Sequence, residues 1–180
     1  MQRGEDEFVL EAERALGAHD PDEEQPTSLR LRGAPRLHLL FVDDDPLAEM
    51  TLRRAFRRLG IEAPLSIAHD GLEALELLRD PWFPAARCVV LLDLNMPRMD
   101  GHELLRELRA SPDLSRVPVV VMTTSDDARD VQQAYAGGAA GYFVKPASFT
   151  EFVAQVEALI AYWSRAVLPP AGGSSLLPIP

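Results

Sequence analysis

One cysteine, Cys88, stands in the whole chain, so no disulfide can close within it. It opens the apolar run Cys88–Leu92, where a small buried hydrophobe is expected rather than a reactive thiol. No apolar stretch approaches the roughly 20 residues that a bilayer-spanning helix needs. The acidic opening MQRGEDEFVLEAERALG also lacks the hydrophobic centre of a secretory signal. A cytoplasmic protein with no membrane partner is expected. Basic residues are short as well, with 18 Lys and Arg against 28 Asp and Glu and a formal charge of −10. Capturing nucleic-acid phosphates takes a positive field, so no nucleic-acid partner is expected. The four histidines, His19, His38, His69 and His102, have none of the spacings of a metal site.

What is present suits one folded domain with tails. Of the 180 residues 47% are apolar and 26% charged, ordinary proportions for a globular chain. Residues 1–35 read as an acidic N-terminal tail with turn chemistry at Asp20–Glu24 and Gly33–Pro35. Within it Phe8, Ala12, Ala15 and Leu16 have helical spacing, enough for a marginal helix. Residues 165–180, rich in Pro, Gly and Ser, read as a flexible C-terminal tail. Between them, residues 36–164 alternate regularly. Short apolar runs at Leu37–Val42, Leu65–Ala68, Cys88–Leu92, Val117–Met122 and Gly141–Val144 predict strands covered on both faces.

Each run is followed by a helix with a recognisable start. Asp45 precedes Pro46 at the first helical position, and Gly60 ends the apolar face of Ala48, Leu52, Ala55, Phe56 and Leu59. Asp70 caps Leu72–Leu78, and Asp100 precedes Glu103–Arg109. A fourth helix runs from about Asp126 to Ala136, stopped by Gly137-Gly138. Ser148–Glu151 reads as a capping box opening a last helix that reaches Trp163. Five strands alternating with five helices predict an α/β fold, a parallel sheet in the order 2-1-3-4-5 with helices on both faces.

Open sheets of this kind bind ligands beyond the carboxyl ends of their strands. There the sequence places Asp43, Asp44 and Asp45 after the first strand, Asp93 after the third, Thr123-Thr124-Ser125 after the fourth and Lys145 after the fifth. Carboxylates crowded together stay ionised only beside a cation, and an all-oxygen donor set suits Mg²⁺. Asp43, Asp44 and Asp93 carry −3, which Mg²⁺ and Lys145 balance. Such a site could take a phosphoryl group on one carboxylate, with the cations and a hydroxyl stabilising its oxygens. Asp93, alone at the end of the central strand, is the best candidate.

FVDDDP, LLDLNMPRMDG, VVVMTTS and GYFVKP resemble, in order and spacing, the four signature segments of response-regulator receiver domains. The likeness runs from about Pro35 to Trp163 and implies the flavodoxin-like receiver fold. It implies that Asp93 accepts a phosphoryl group from a histidine kinase. Asp44 would be a direct Mg²⁺ ligand, Asp43 would act through water, and Asn95 would give its backbone carbonyl. Thr123 would be the switch hydroxyl, Lys145 the phosphoryl-pairing lysine and Tyr142 the aromatic switch, with a cis Lys145–Pro146 bond. Thr123-Thr124, His102-Glu103, Ser148-Phe149 and Tyr162-Trp163 further resemble stand-alone regulators paired with bacterial phytochrome kinases. About twenty residues follow the last helix, too few for a DNA-binding module, so output is expected through protein–protein contacts or phosphorelay.

Simpler readings compete at several positions. Asp45 is expected to be a helix cap, and Asp126 and Asp127 to favour a helix N-terminus. Arg53, Arg54, Arg57 and Arg58 are either a solvated surface or a kinase-docking face. Phe149, Phe152, Val153, Val156, Leu159, Ile160 and Trp163 are mainly core. Tyr135, Tyr142, Phe143, Tyr162 and Trp163 crowd the edge made by the fourth helix, fifth strand and fifth helix, where homodimerisation is expected. An aspartyl-phosphate phosphatase is the alternative from another class. Its nucleophile would follow the first strand with an acid two residues on, whereas Asp93 ends the third and is followed by Asn95. A pseudo-receiver is disfavoured because every required side chain is present.

Overall fold

The computed structural model describes residues 37–169; the predicted N-terminal tail with Phe8–Leu16, and most of the C-terminal tail, lie outside the described residues. The strands are β1 (His38–Val42), β2 (Leu65–Ala68), β3 (Cys88–Leu92), β4 (Val119–Thr123) and β5 (Gly141–Val144). The helices are α1 (Pro46–Leu59), α2 (Gly71–Arg79), α3 (Gly101–Ala110), α4 (Ala128–Ala136) and α5 (Phe149–Trp163), with a 3₁₀ turn at Ala85–Arg87. All strand pairs are parallel and the order is β2-β1-β3-β4-β5, as expected. Among the described residues no helix is long and apolar enough to cross a membrane.

Alternation along each strand divides the core into two layers. Leu39 and Phe41 of β1, Val89 and Leu91 of β3, and Val120 and Met122 of β4 pack with Leu52 and Phe56 of α1 and with Phe152, Val156 and Ile160 of α5. Leu40, Val42, Val90, Leu92, Val119 and Val121 point the other way, onto Leu75 and Leu78 of α2, Leu104 and Leu108 of α3 and Ala134 of α4. Both faces are covered, which is why these strands read as continuous apolar runs.

The helix starts follow their caps. Asp45, Asp70, Asp100, Asp127 and Ser148 each accept a backbone N–H from the first turn of the helix they precede. Gly60 closes α1 in the left-handed region, φ 62°. The reciprocal capping box forms at Asp100 and Glu103. At Ser148 only half of the expected box forms: its hydroxyl accepts the Glu151 N–H at 3.5 Å. β4 starts two residues later than expected. Pro118 has no N–H to give, and the Val117 N–H turns back to Leu114 O. α4 likewise starts at Ala128, because Asp127 rather than Asp126 is the cap.

Arg109 ties the base of α3 to its neighbours. Its Nη1 donates to Ser115 O at 3.0 Å and Val117 O at 3.1 Å, and its Nη2 to Gly138 O at 2.9 Å. Burial lowers its pKa from the ordinary guanidinium value.

Candidate functional site

The sheet register decides which side chains meet. Val42 lies beside Leu92, so Asp43 and Asp93 leave adjacent strands side by side, and the Asp93 N–H donates to Val42 O at 2.9 Å. Thr123 pairs with Val144, and the Lys145 N–H donates back to Thr123 O at 2.7 Å, which aims the chain after β5 toward the same crevice. Lys145 then crosses the sheet ends. Its Nζ donates to Asp43 Oδ2 at 2.6 Å and to Asp93 Oδ1 at 3.1 Å. It is the chain's only lysine.

Backbone donors hold the other carboxylate oxygens. Asp93 Oδ2 accepts the Asn95 N–H at 2.8 Å, and Asp43 Oδ1 accepts the Asp45 N–H at 3.0 Å. Asp45 Oδ1 in turn accepts the Leu47 N–H at 2.9 Å, so this third acid is the helix cap. The N-terminus of α3 closes tightly beneath Asp93. A Cβ on Gly101 would stand 2.4 Å from the Asp93 carbonyl oxygen, so no larger residue fits without moving the site.

Asp43, Asp93 and Thr123 are buried, whereas Asp44 and Asn95 are exposed at the rim. Burial pushes the Asp43 carboxyl up, against the downward pull of its bond to Lys145. Burial pulls Lys145 down, but its hydrogen bonds and attraction to Asp43 and Asp93 outweigh this, and its pKa is raised. The lysine is a firmly held ammonium. One ammonium facing Asp43, Asp44 and Asp93 leaves two negative charges over, and every remaining donor is oxygen. The residues thus fit a hard divalent cation. Among the described residues no three His, Cys, Asp or Glu side chains already stand close enough to enclose a metal. The donors would be Asp93, the rim carboxylate of Asp44 and the Asn95 carbonyl, with Asp43 reaching the ion through water.

The predicted switch residues connect through the β4–α4 loop. Thr123 Oγ1 accepts the Ser125 N–H at 3.4 Å, and among the described residues it makes no bond to Asp93. Tyr142 is turned inward against the α2–α3–α4 layer, and its hydroxyl donates to Ser125 O at 2.9 Å. Ser125 Oγ donates to Asp130 Oδ2 at 2.5 Å. Of the aromatic edge, Tyr135 and Tyr162 are exposed, while Tyr142, Phe143 and Trp163 are partly buried within their own molecule. The expected cis bond at Lys145–Pro146 is corrected: every described peptide bond is trans. Trans is the ordinary X–Pro form, and the Lys145 N–H bond to Thr123 directs the side chain inward without an isomer.

The response regulator receiver domain family matches residues 39–157. The chain belongs to this family. The receiver is 38% identical over 127 residues to the probable methanogenesis regulatory protein FilR2 of Methanothrix harundinacea, covering 69% of this chain and 82% of that one. It is 32% identical over 137 residues to response regulator Rcp1 of Synechocystis, covering 74% and 92%. Among solved structures, the phosphorylated cyanobacterial phytochrome response regulator RcpA superposes with a TM-score of 0.68 at 29% identity, over 75% of this chain and 99% of that one. The Mn²⁺-bound form of Rcp1 superposes with a TM-score of 0.64 at 31% identity, over 76% of this chain and 100% of that one. The fold and the family are those expected from the four motif segments, and the phosphatase alternative finds no support.

Sequence reasoning missed the backbone donors at Asn95 and Asp45, which carry no side-chain signal. It also missed Arg98, whose contact is described below.

Proposed function

We propose that residues 36–164 work as a phosphorylatable switch in which Asp93 accepts a phosphoryl group from a histidine kinase and output follows through protein–protein contacts. The observation that carries this reading is the single ammonium of Lys145 shared between the buried carboxylates of Asp43 and Asp93. A carboxylate oxygen of Asp93 would attack phosphorus as the phosphorus–nitrogen bond to the kinase histidine breaks, leaving an aspartyl phosphate and a free imidazole. Lys145 would pair with the incoming phosphoryl oxygens, and Thr123, turning from Ser125, would donate its hydroxyl to one of them. Asp44, Asp93 and the Asn95 carbonyl would hold Mg²⁺, with Asp43 acting through water, and the ion when bound neutralises charge on the transferring group. Movement of Thr123 would draw on the Ser125 loop, to which the Tyr142 hydroxyl is bonded.

The kinase partner is of the bacterial phytochrome kind in this reading. The likeness to RcpA supports it, as do the paired Thr123-Thr124 and Tyr162-Trp163. Docking falls on α1, where Leu47 and Met50 are 64% and 61% exposed beside the site. Of the four arginines, Arg53 pairs with Glu49 and Arg54 stacks on Phe149, while Arg57 and Arg58 form no ion pair among the described residues and are the ones offered to the partner.

Incubation with phosphoramidate and Mg²⁺, read by intact mass, should add one phosphoryl group that Asp93→Asn abolishes. Absence of any Mg²⁺-dependent adduct would sink the proposal. Met50→Glu should slow transfer from a cognate kinase about tenfold, the order expected for one interface anchor, while uptake from phosphoramidate stays unchanged.

A further inference from the structure

The loop that follows Asp93 is fastened at both ends, and its far fastening lies outside the site. Among the described residues Arg98 is the one non-glycine residue with a positive φ, 65°. A residue bearing a Cβ is disfavoured in that region, so a contact must hold it there. The Arg98 guanidinium pairs with Asp70 Oδ2. Asp70 is completely buried at the N-terminus of α2. Its Oδ1 is occupied in accepting the Glu73 N–H at 2.9 Å, and Oδ2 has no hydrogen-bond partner among the described residues to replace the guanidinium. Each group answers the other's deficit: the carboxylate gains a countercharge that burial demands, and the arginine is held in its strained conformation.

Neighbouring contacts stiffen the same joint. The Gly71 N–H donates to Met99 O at 3.2 Å. The Met99 side chain lies so close that a Cβ on Gly71 would stand 2.5 Å from its Cγ. At the near end, the Asn95 N–H bonds Asp93 Oδ2 at 2.8 Å and the Gly101 N–H bonds Leu94 O at 3.0 Å. The short span from Asn95 to Met99 is therefore stretched between the reactive carboxylate and the start of α2.

We infer that Asp70 and Arg98 form a latch that positions the Asn95 backbone at Asp93, making both of them positioning residues for divalent-cation binding and phosphoryl uptake. The inference rests on the receiver reading of the site proposed above. The latch touches neither the cation nor the phosphoryl group; it acts by keeping the Asn95 carbonyl and N–H where the site needs them. Supporting residues of this kind change metal affinity by about 10–100-fold when removed.

The test uses the full chain and three variants. Asp70→Asn keeps a capping oxygen for Glu73 and removes the charge. Arg98→Gly removes the guanidinium while suiting the positive φ, so the backbone is relieved and any loss of stability comes from the unpaired Asp70. Arg98→Lys keeps the charge. Mn²⁺ affinity is measured by titration calorimetry, and phosphoryl uptake from phosphoramidate by intact mass across a Mg²⁺ series. Asp70→Asn and Arg98→Gly should each weaken Mn²⁺ binding about tenfold or more and slow uptake at low Mg²⁺, with the rate largely recovered at saturating Mg²⁺. Arg98→Lys should restore most of the affinity, and the double variant should be no worse than the worse single one. Affinities within twofold of wild type in both single variants would overturn the latch, even if their melting temperatures fall. A wild type that takes up no phosphoryl group would instead overturn the receiver reading, and the Mn²⁺ measurement would still decide the latch.

Discussion

Asp43 and Lys145 respond to burial in opposite ways, and the difference is measurable. Burial raises the Asp43 carboxyl more than the bond to Lys145 lowers it. The folded protein then holds that proton more tightly than the unfolded chain does. Stability from this group therefore falls as pH rises from the unfolded value of about 3.9 through the higher folded one. In metal-free buffer at pH 7, Asp43→Asn should melt a few degrees higher than wild type, with the difference shrinking toward pH 4; a lower melting point at pH 7 would contradict it. For Lys145 the net shift is upward. Its stabilisation is complete below about 10.4 and is lost as pH climbs through the folded value. Cys88 offers a separate probe. Burial pushes its thiol up to about 12, so at pH 8 the folded protein presents no thiolate. A disulfide reagent should leave native Cys88 untouched and react stoichiometrically once guanidinium unfolds the chain.

At the scale of elements, what could be read in advance depended on how local the signal was. All five strands and five helices were legible, because alternating apolar runs and the acids at positions 45, 70 and 100 act over a few residues. Asp93, Lys145, Asp43 and Thr123 were legible as one site because strand order alone brings strand ends together. Contacts made by a side chain to a distant backbone left no such trace. Arg109 looked like any other surface residue of α3, yet it serves the carbonyls of Ser115, Val117 and Gly138. Arg98 gave no hint of its positive φ, since nothing local favours an arginine there. For a related reason, period and position could not show that Tyr142 of the aromatic edge turns inward to Ser125. Arg109→Met should cost about 2 kcal/mol, the order expected when buried carbonyls lose their donor. The measurement is urea denaturation, and phosphoryl uptake on Asp93 should be unchanged.

Across the whole molecule, charge and shape act together on association. The chain carries a formal charge of −10, so two copies repel at long range. On the α4–β5–α5 edge the exposed aromatics among the described residues are Tyr135 and Tyr162. If the α4–β5–α5 edge dimerises, as proposed from its aromatic crowding, sedimentation should show association strengthening between low salt and about 0.15 M salt, where the Debye length is ~8 Å. Tyr135→Ala and Tyr162→Ala should weaken it; a wild type monomeric at every salt concentration and with a phosphate mimic would end the idea. A further handle comes from Lys145 being the chain's only lysine. Apart from the α-amine, every primary amine in the protein is inside the site, and that one is masked as an ammonium between two carboxylates. Acylating dyes therefore become site-directed reagents without mutagenesis. Their slow reaction at Lys145 reports how firmly Asp43 and Asp93 hold it, and any ligand that loosens that grip is readable as a gain in label on a single peptide.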